Sequence, residues 1–234
     1  MYGMNGRVRF SEVDDKKDMT LSALLNYFQD CSCFHSEDIG MGIDDMAGNG
    51  YAWILASWQI VIEEFPKYPD EIVVTTSPYD FKGTFGYRNF TMEDGNGRMY
   101  AYANSVWFLM DIKNGRPLKI PETVWSKYEL SEKLKMDYAP RKIAADSQGC
   151  AKEPVTVQKS QLDVNEHVNN GQYLVMAQEY VPESIKVRQM RADYRKAAVL
   201  GDRIFPYVTE EQDKVTVQLC DEEKQIYAIV EFTE

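Results

Sequence analysis

The chain has 234 residues, with 26 basic and 37 acidic side chains and a formal net charge of −11. This length fits one large domain or two small ones, and the 44% of hydrophobic residues can supply a core. The acidic balance argues against sequence-independent nucleic-acid binding and against docking on an anionic membrane, because both need clustered Lys and Arg. No apolar run approaches the ~18 residues of a membrane span, and the start lacks the pattern of a signal peptide. We therefore expect no membrane insertion and a cytoplasmic location.

Two segments of the chain repeat the same layout, a short strand followed by an amphipathic helix. Apolar residues at helical spacing define both helices, and Ser, Thr, Asp or Asn residues before them are candidate caps. For the first helix the cap is Asp18 or Thr20, and for the second it is Asn169 or Asn170. The predicted strand and helix pairs are 7–10 with 21–31, and 155–158 with 170–181.

Four strands rich in β-branched and aromatic residues follow each helix. They are predicted at 52–63, 71–81, 85–93 and 99–112 in the first half, and at 185–196, 203–209, 214–219 and 225–232 in the second. The turns at Pro69-Asp70 and Gly201-Asp202 correspond. The order strand, helix and four strands, found twice, predicts an α+β protein. It matches two tandem hotdog units, each a long helix wrapped by an antiparallel sheet, which is a double hotdog.

The predicted boundaries place the N-terminal hotdog unit at 1–120 and the C-terminal unit at 154–234. The linker between them, 121–153, is expected to contain an extra helix at 122–138. One chain thus supplies a pair of units, so a monomer would suffice, and a homodimer stays open.

The cysteines give little sign of metal chemistry. Cys31, Cys33 and His35 alternate, but on a helix their side chains would spread around the axis, so we predict reduced thiols and no metal site. His35 is predicted to be a partly solvated surface residue, since it lies among Ser and Glu.

The candidate chemistry lies just before the second helix. Aligning the two helices gives an offset of 149 residues, which matches Asp163 with Asp14. Asn165 and His167 then match Lys16 and Asp18, so groups able to move protons at neutral pH occur only in the second copy. One specialised copy is expected when a single site is made from two halves.

These residues can act on a thioester. Free N–H groups at a helix start favour negative charge, such as that developing on a carbonyl oxygen under attack. His167 can take a proton from water, Asn165 can donate to the carbonyl or hold the water, and Asp163 can orient its neighbours. The alternative, a capping or loop histidine, stays open on the residues alone.

The segment 162–170, Leu-Asp-Val-Asn-Glu-His-Val-Asn-Asn, followed by Tyr173, resembles the signature of the fatty acyl–acyl carrier protein (ACP) thioesterases of plants and bacteria. Further blocks similar to that family occur in order at 53–60, 68–72, 103–111 and 116–121. The resemblance implies a double hotdog fold and hydrolysis of the acyl thioester on the phosphopantetheine arm of ACP, which would terminate fatty acid synthesis. It also implies catalytic roles for Asp163, Asn165 and His167, and no metal or dissociable cofactor.

One departure from the family concerns the strand after the second helix. Plant members carry an acidic residue and a cysteine where this chain has Ala197 and Ala198. Asp193 would lie ~13 Å away along a regular strand and cannot replace the missing carboxylate. We therefore expect His167 to activate water directly, with Asp163 supporting it. Plant members also carry a transit peptide, and a chain starting at its first strand is expected of a bacterial protein.

The substrate and carrier contacts are predicted more broadly. The acyl slot is assigned to Met19, Phe28 and Trp58, with ordinary core packing as the alternative, and further substrate contacts to Asn169, Asn170 and Tyr173. A basic cluster is predicted to receive the acidic carrier protein, with a solvated strand face as the alternative. Its members are Arg188, Arg191, Arg195 and Lys196, and the pair Arg141-Lys142 is a second candidate.

Three other functions stay open at this point. An acyl-CoA thioesterase would use the same chemistry on a different carrier. A hotdog hydratase or dehydratase would need a carboxylate opposite the histidine, and none is apparent at Ala197. A non-catalytic acyl-binding sensor would need an effector module, for which residues 1–6 leave no room.

Overall fold

The computed structural model describes residues 1–146 and 148–234. They divide into two compact units, each with a long or central helix against antiparallel strands, as the α+β double hotdog prediction requires. Unit 1 comprises Met1–Ala56 and Ile60–Tyr138, and unit 2 comprises Ser57–Gln59 and Ala139–Glu234. The predicted linker is therefore shared, with its first part in unit 1 and its last part in unit 2.

Unit 1 contains three helices and most of six strands, in a sheet ordered β1-β3-β4-β5-β2 with β6 paired to β5. Pairing is antiparallel from β1 through β5. The elements are β1 Tyr2–Arg7, α1 Leu21–Asp38, α2 Ile43–Gly48, β2 Tyr51–Ile62, β3 Glu71–Lys82, β4 Phe85–Glu93, β5 Met99–Asp111, β6 Arg116–Pro117 and α3 Glu122–Trp125.

The apolar stripe of α1 explains the core of unit 1. Thr20 caps the helix, since its hydroxyl accepts a hydrogen bond from the Ala23 N–H (3.2 Å). Leu24 and Phe28 are fully buried, and the Phe28 ring lies 5.3 Å from that of Phe90 on β4. The helix continues to Asp38, seven residues beyond the predicted end, because its last turns also bury side chains, including His35.

The described residues of unit 2 form one α-helix and a sheet ordered β9-β12-β11-β10-β7, with β8 paired to β10. These pairs are all antiparallel. Its helix lies against β11 and β12. The elements are β7 Cys150–Ala151, β8 Val155–Thr156, α4 Asn170–Gln178, β9 Gln189–Tyr194, β10 Arg203–Glu211, β11 Lys214–Cys220 and β12 Ile226–Thr233.

The predicted linker helix at 122–138 is wrong beyond its first turn, since α3 ends at Trp125. The following backbone bonds to unit 1 instead of to itself. Ser131 donates its N–H to the Pro78 carbonyl (2.9 Å), and both the Leu134 N–H and the Tyr138 hydroxyl donate to the Asn89 side-chain oxygen (3.0 Å each). The N–H groups of Ser131 and Leu134 therefore bond to these acceptors and not to carbonyl oxygens of a helix.

His35 is buried, with 8% of its surface exposed, so the surface prediction is wrong. The Arg88 guanidinium donates to its Nδ1 (2.9 Å), and Arg88 also donates to the Thr76 hydroxyl (3.2 Å). The Tyr2 ring stacks on the imidazole. Burial, together with the charge of Arg88, lowers the pKa of His35 to about 4, so this histidine is neutral at physiological pH.

In the part of the chain that the structure covers, no helix combines the length and apolar character that crossing a bilayer requires.

Candidate active site

The residues picked out by sequence form a tight turn in front of α4. The Asp163 carboxylate oxygen Oδ1 accepts hydrogen bonds from the backbone N–H groups of Asn165 (2.8 Å) and His167 (3.3 Å). The Asp163 N–H in turn donates to the His167 carbonyl (2.7 Å). Glu166 adopts φ 60°, a left-handed conformation that is unfavourable for a side chain with a Cβ. The carboxylate thus closes the turn and holds this conformation. We call residues 163–167 loop 2.

Asn169 caps the helix that follows loop 2, as one of the two predicted caps. Its side-chain oxygen accepts from the Gly171 N–H (2.9 Å), and its carbonyl accepts from the Gln172 N–H (2.8 Å). Two of the first N–H groups of α4 therefore already have acceptors within the chain. The Asn165 side-chain amide is a further hydrogen-bond donor in loop 2.

The imidazole of His167 and the side-chain amide of Asn165 are both exposed. Within residues 1–146 and 148–234, neither side chain has a hydrogen-bond partner, although both backbones are fixed. The Asp163 carboxylate bonds to the backbone of His167 and not to its ring. Loop 2 therefore holds two unengaged polar side chains, two residues apart, on a fixed main chain.

Unit 1 contains the same turn at residues 14–18, which we call loop 1. Asp14 Oδ1 accepts from the N–H groups of Lys16 (2.9 Å) and Asp18 (3.0 Å), and the Asp14 N–H donates to the Asp18 carbonyl (2.9 Å). Lys17 has φ 65°, as Glu166 has φ 60°. The offset of 149 residues predicted from the helices is confirmed by this backbone geometry.

The two loops differ in the residue that faces their last position. Asp18 forms a backbone bridge with Lys67, whose ammonium group makes an ion pair with the Asp18 carboxylate (2.5 Å). His167 forms the corresponding bridge with Val199. An apolar side chain thus stands where the ion-pair partner stands in unit 1, and the imidazole is left available.

Sequence reasoning missed the residue that holds Val199 in place. Asp202 Oδ2 accepts from the Val199 N–H (3.0 Å) and from the Tyr227 hydroxyl (2.9 Å). In unit 1, Asp70 accepts from the Lys67 N–H in the same way (2.9 Å). The signal was present in the two matching turns, but their position opposite the loops required the fold.

Tyr173 and Asn170, predicted to contact substrate, make hydrogen bonds inside unit 2. The buried Tyr173 hydroxyl accepts from the Ala198 N–H (2.8 Å), and burial raises its pKa to about 12. The Asn170 carbonyl accepts from the Tyr194 hydroxyl (3.1 Å). These bonds join α4 to the end of β9 and to Ala198, the residue before Val199. They favour a structural role for Tyr173 and Asn170. Ala197, where plant members carry an acid, is exposed.

The residues assigned to the acyl slot lie in the interior. Met19 and Trp58 are each 2% exposed, and Phe28 is fully buried. This burial fits core packing, the alternative given above. Contact of these residues with an acyl chain stays a prediction.

Three of the four cations predicted to receive the carrier are engaged in ion pairs within unit 2. Arg191 also donates to the Pro140 carbonyl (2.6 Å) and Arg195 to the Ile143 carbonyl (2.5 Å), so both fasten the segment that enters unit 2. These contacts favour a structural role for the two arginines, and a docking role for the cluster stays a prediction. The pairs are Arg191 with Glu231 (2.8 Å), Arg195 with Asp193 (2.9 Å) and Lys196 with Asp221 (2.7 Å).

In the described ranges, no group of three or more His, Cys, Asp or Glu is placed to hold an ion, and the absence of a metal or cofactor stays a prediction. Burial raises the pKa of Cys31 to about 12, so this thiol stays protonated.

Comparison with known proteins gives family matches over both units. Residues 1–128 match the acyl-ACP thioesterase N-terminal domain, and residues 144–232 match the C-terminal domain. A palmitoyl-acyl carrier protein thioesterase of Arabidopsis thaliana is 25% identical over 84% of this chain and 52% of its own length. An oleoyl-acyl carrier protein thioesterase of the same plant is 24% identical over 87% of this chain and 61% of its own. The chain thus spans about half the length of the curated relatives that it matches.

Solved structures share the fold over the whole chain. An acyl-ACP thioesterase from Bacteroides thetaiotaomicron matches with a TM-score of 0.90 and 22% identity, covering 99% of this chain and 96% of that one. A 12:0-ACP thioesterase from Umbellularia californica matches with a TM-score of 0.87 and 20% identity, with the same coverage. The resemblance and the double hotdog fold are confirmed, and the chain belongs to the acyl-ACP thioesterase family.

Proposed function

We propose that this protein hydrolyses fatty acyl thioesters on acyl carrier protein and releases a free fatty acid and the carrier with its thiol. Family membership over both units supports this activity, as do the relatives in Arabidopsis thaliana, which are named palmitoyl- and oleoyl-acyl carrier protein thioesterases. The single observation that carries the proposal is the unengaged His167 imidazole on a fixed turn. In unit 1 the matching residue, Asp18, is instead held in an ion pair with Lys67.

The chemistry follows from the two side chains of loop 2. His167 accepts a proton from water as the water oxygen attacks the thioester carbonyl carbon. The Asn165 amide donates a hydrogen bond to the carbonyl oxygen, which becomes an oxyanion in the tetrahedral intermediate. When the oxyanion collapses, the carbon–sulfur bond breaks and the imidazolium returns its proton to the departing sulfur. The products are a carboxylic acid and the carrier thiol.

This route needs neither of the two groups that plant members carry after the second helix. Ala197 and Ala198 can supply no carboxylate base and no thiol nucleophile. The proposal therefore gives His167 the whole task of proton transfer. Acting on the carrier that holds the growing chain, hydrolysis would terminate fatty acid synthesis by removing the chain from elongation.

The direct test is to incubate the protein with a mixed acyl-ACP pool and to identify free acids and carrier by mass spectrometry. The same acyl chains on coenzyme A, assayed in parallel, separate the two carriers as substrates. We expect release from ACP, and a 10²–10⁴-fold loss of kcat in His167→Ala. Asp18→Ala is the matched control in loop 1, and its kcat should equal that of the wild type.

Two results would contradict the proposal. One is a His167→Ala variant that folds normally and keeps its turnover, which would remove the imidazole from the reaction. The other is release from coenzyme A alone, which would make the protein an acyl-CoA thioesterase.

A further inference from the structure

Asp163 makes backbone hydrogen bonds that do not depend on a neighbouring histidine. Asp14 in loop 1 makes the same two bonds from the same carboxylate oxygen, although its loop carries lysine and aspartate where loop 2 carries Asn165 and His167. Because the turn keeps its shape with either set of side chains, the aspartate is a requirement of the turn.

The surroundings of the Asp163 carboxylate agree with this reading. Among the described residues, its hydrogen bonds run only to the main chain of its own loop, through Oδ1. A carboxylate that supports an imidazole during proton transfer accepts a hydrogen bond from the ring nitrogen. That contact is not made here, while both backbone contacts are.

We infer that Asp163 is a positioning residue that fixes the backbone of Asn165 and His167 and takes no part in proton transfer. This inference rests on the proposed function of loop 2. The hydrogen-bond acceptor at position 163 is then essential, and its negative charge is secondary.

Substitutions at position 163 can separate the effect of the acceptor oxygen from that of the negative charge. Asparagine keeps an oxygen at the position of Oδ1, whereas alanine leaves the N–H groups of Asn165 and His167 without their acceptor. Without that acceptor, the turn that holds Glu166 in its left-handed conformation loses two of its hydrogen bonds, so we expect the turn to relax and the imidazole to move. A displacement of about 1 Å at a catalytic group costs roughly 10²-fold in rate.

The experiment compares four variants of the full chain, namely Asp163→Asn, Asp163→Ala, Asp14→Asn and Asp14→Ala. The measurements are kcat and KM on an acyl-ACP, the pH profile of kcat, and the melting temperature. We expect kcat to fall about 10²-fold in Asp163→Ala but only 3- to 10-fold in Asp163→Asn, with the acid limb of the profile unmoved. Asp14→Ala should lose the same ~2–5 °C in melting temperature as Asp163→Ala and keep its kcat.

Three outcomes overturn the inference. Equal losses of kcat in Asp163→Asn and Asp163→Ala would show that the charge acts in the reaction. A displaced acid limb in Asp163→Asn, at unchanged melting temperature, would show that the carboxylate acts on the imidazole. Loss of kcat in Asp14→Ala would show that lowered stability alone explains the effect. A wild type that releases no fatty acid would instead overturn the proposed function, and the melting temperatures would still report whether both aspartates hold their turns.

Discussion

Loop 1 and loop 2 share one backbone and differ in what their last side chain touches. In loop 1, Asp18 is paired with Lys67, and the turn ends in a closed ion pair. In loop 2, His167 is bridged to Val199, and its imidazole makes no polar contact within the described chain. The comparison teaches that one turn either ends in a closed ion pair or presents an unpaired imidazole, and that two side chains decide which.

The two histidines differ in the same sense. His35 is buried, accepts a hydrogen bond from Arg88, and has its pKa lowered to about 4. His167 is exposed on a fixed main chain. Burial and a cation keep His35 neutral, so we assign it to stability, while His167 is assigned to chemistry.

We expect the largest change in kcat when the ion pair of loop 1 is built into loop 2. The double variant His167→Asp with Val199→Lys should lower kcat on acyl-ACP at least ~10³-fold, because it removes the proton acceptor and occupies its position with a closed pair. Its melting temperature should stay near that of the wild type, since loop 1 tolerates this pair. A kcat within tenfold of the wild-type value would refute the assignment of His167 as the proton acceptor. The reciprocal change in loop 1, Asp18→His with Lys67→Val, is the matched control and should leave kcat unaltered.

A second variant sharpens the contribution of loop 2 to the oxyanion. Asn165→Ala should lower kcat about 10²-fold with a smaller effect on KM, because a donor to the developing oxyanion acts mainly in the transition state. Steady-state kinetics on one acyl-ACP measures both parameters. Lys16→Ala, the equivalent change in loop 1, should leave them unchanged. An Asn165→Ala variant with a raised KM and normal kcat would assign this side chain to binding.

The two histidines should separate in their pH dependence. Because the folded-state pKa of His35 is lowered to about 4 from an ordinary 6.5, the unfolded chain binds a proton that the folded chain does not. The contribution of neutral His35 to stability is complete above pH 6.5 and is lost as the pH falls towards 4, by about 3 kcal/mol. His35→Gln keeps an acceptor for Arg88 and removes this slope. Urea unfolding of both proteins at pH 4.5, 5.5 and 7 measures the difference, and parallel curves would refute it.

The smallest expected effect concerns the cations of unit 2. Arg191 and Glu231 are 14% and 13% exposed, so Arg191→Met leaves a mostly buried carboxylate unpaired and should cost about 1.5 kcal/mol of unfolding free energy. Its KM for acyl-ACP should change less than twofold. Arg188→Met, a change at another arginine of the same cluster, is measured in parallel for its KM on acyl-ACP. A KM that rises for acyl-ACP but not for a small thioester in Arg191→Met would restore the docking role.

Local periodicity was enough to predict most elements of the fold. The spacing of apolar residues located α1 and α4, and the candidate caps Thr20 and Asn169 are the caps observed. The linker helix failed because its backbone finds acceptors at Asn89, 45 residues away from Leu134. No local pattern contains that contact, so propensity was overridden by tertiary bonding.

For the candidate site, the sequence predicted the position of the turn, while the roles of its residues stay predictions. The offset between the copies located loop 2 and its aspartate, because the turn is encoded locally. What faces His167 was not predictable, since Val199 and Asp202 come from a distant turn. The burial of His35 was missed for the same reason, because Arg88 reaches it from another strand.

Gln59 shows that the two repeats of the sequence do not coincide with the two compact units of the structure. It lies within β2, yet its side chain donates to Gln189 (2.8 Å) and accepts from the Ala139 N–H (2.9 Å), both in unit 2. A gene fragment that starts at Ala139 would encode every catalytic candidate and still lack the Gln59 side chain that bonds to Ala139 and Gln189. Dissecting this protein by cutting the chain between the repeats would therefore yield an incomplete second half, and supplying the missing strand as a peptide is the natural way to restore it.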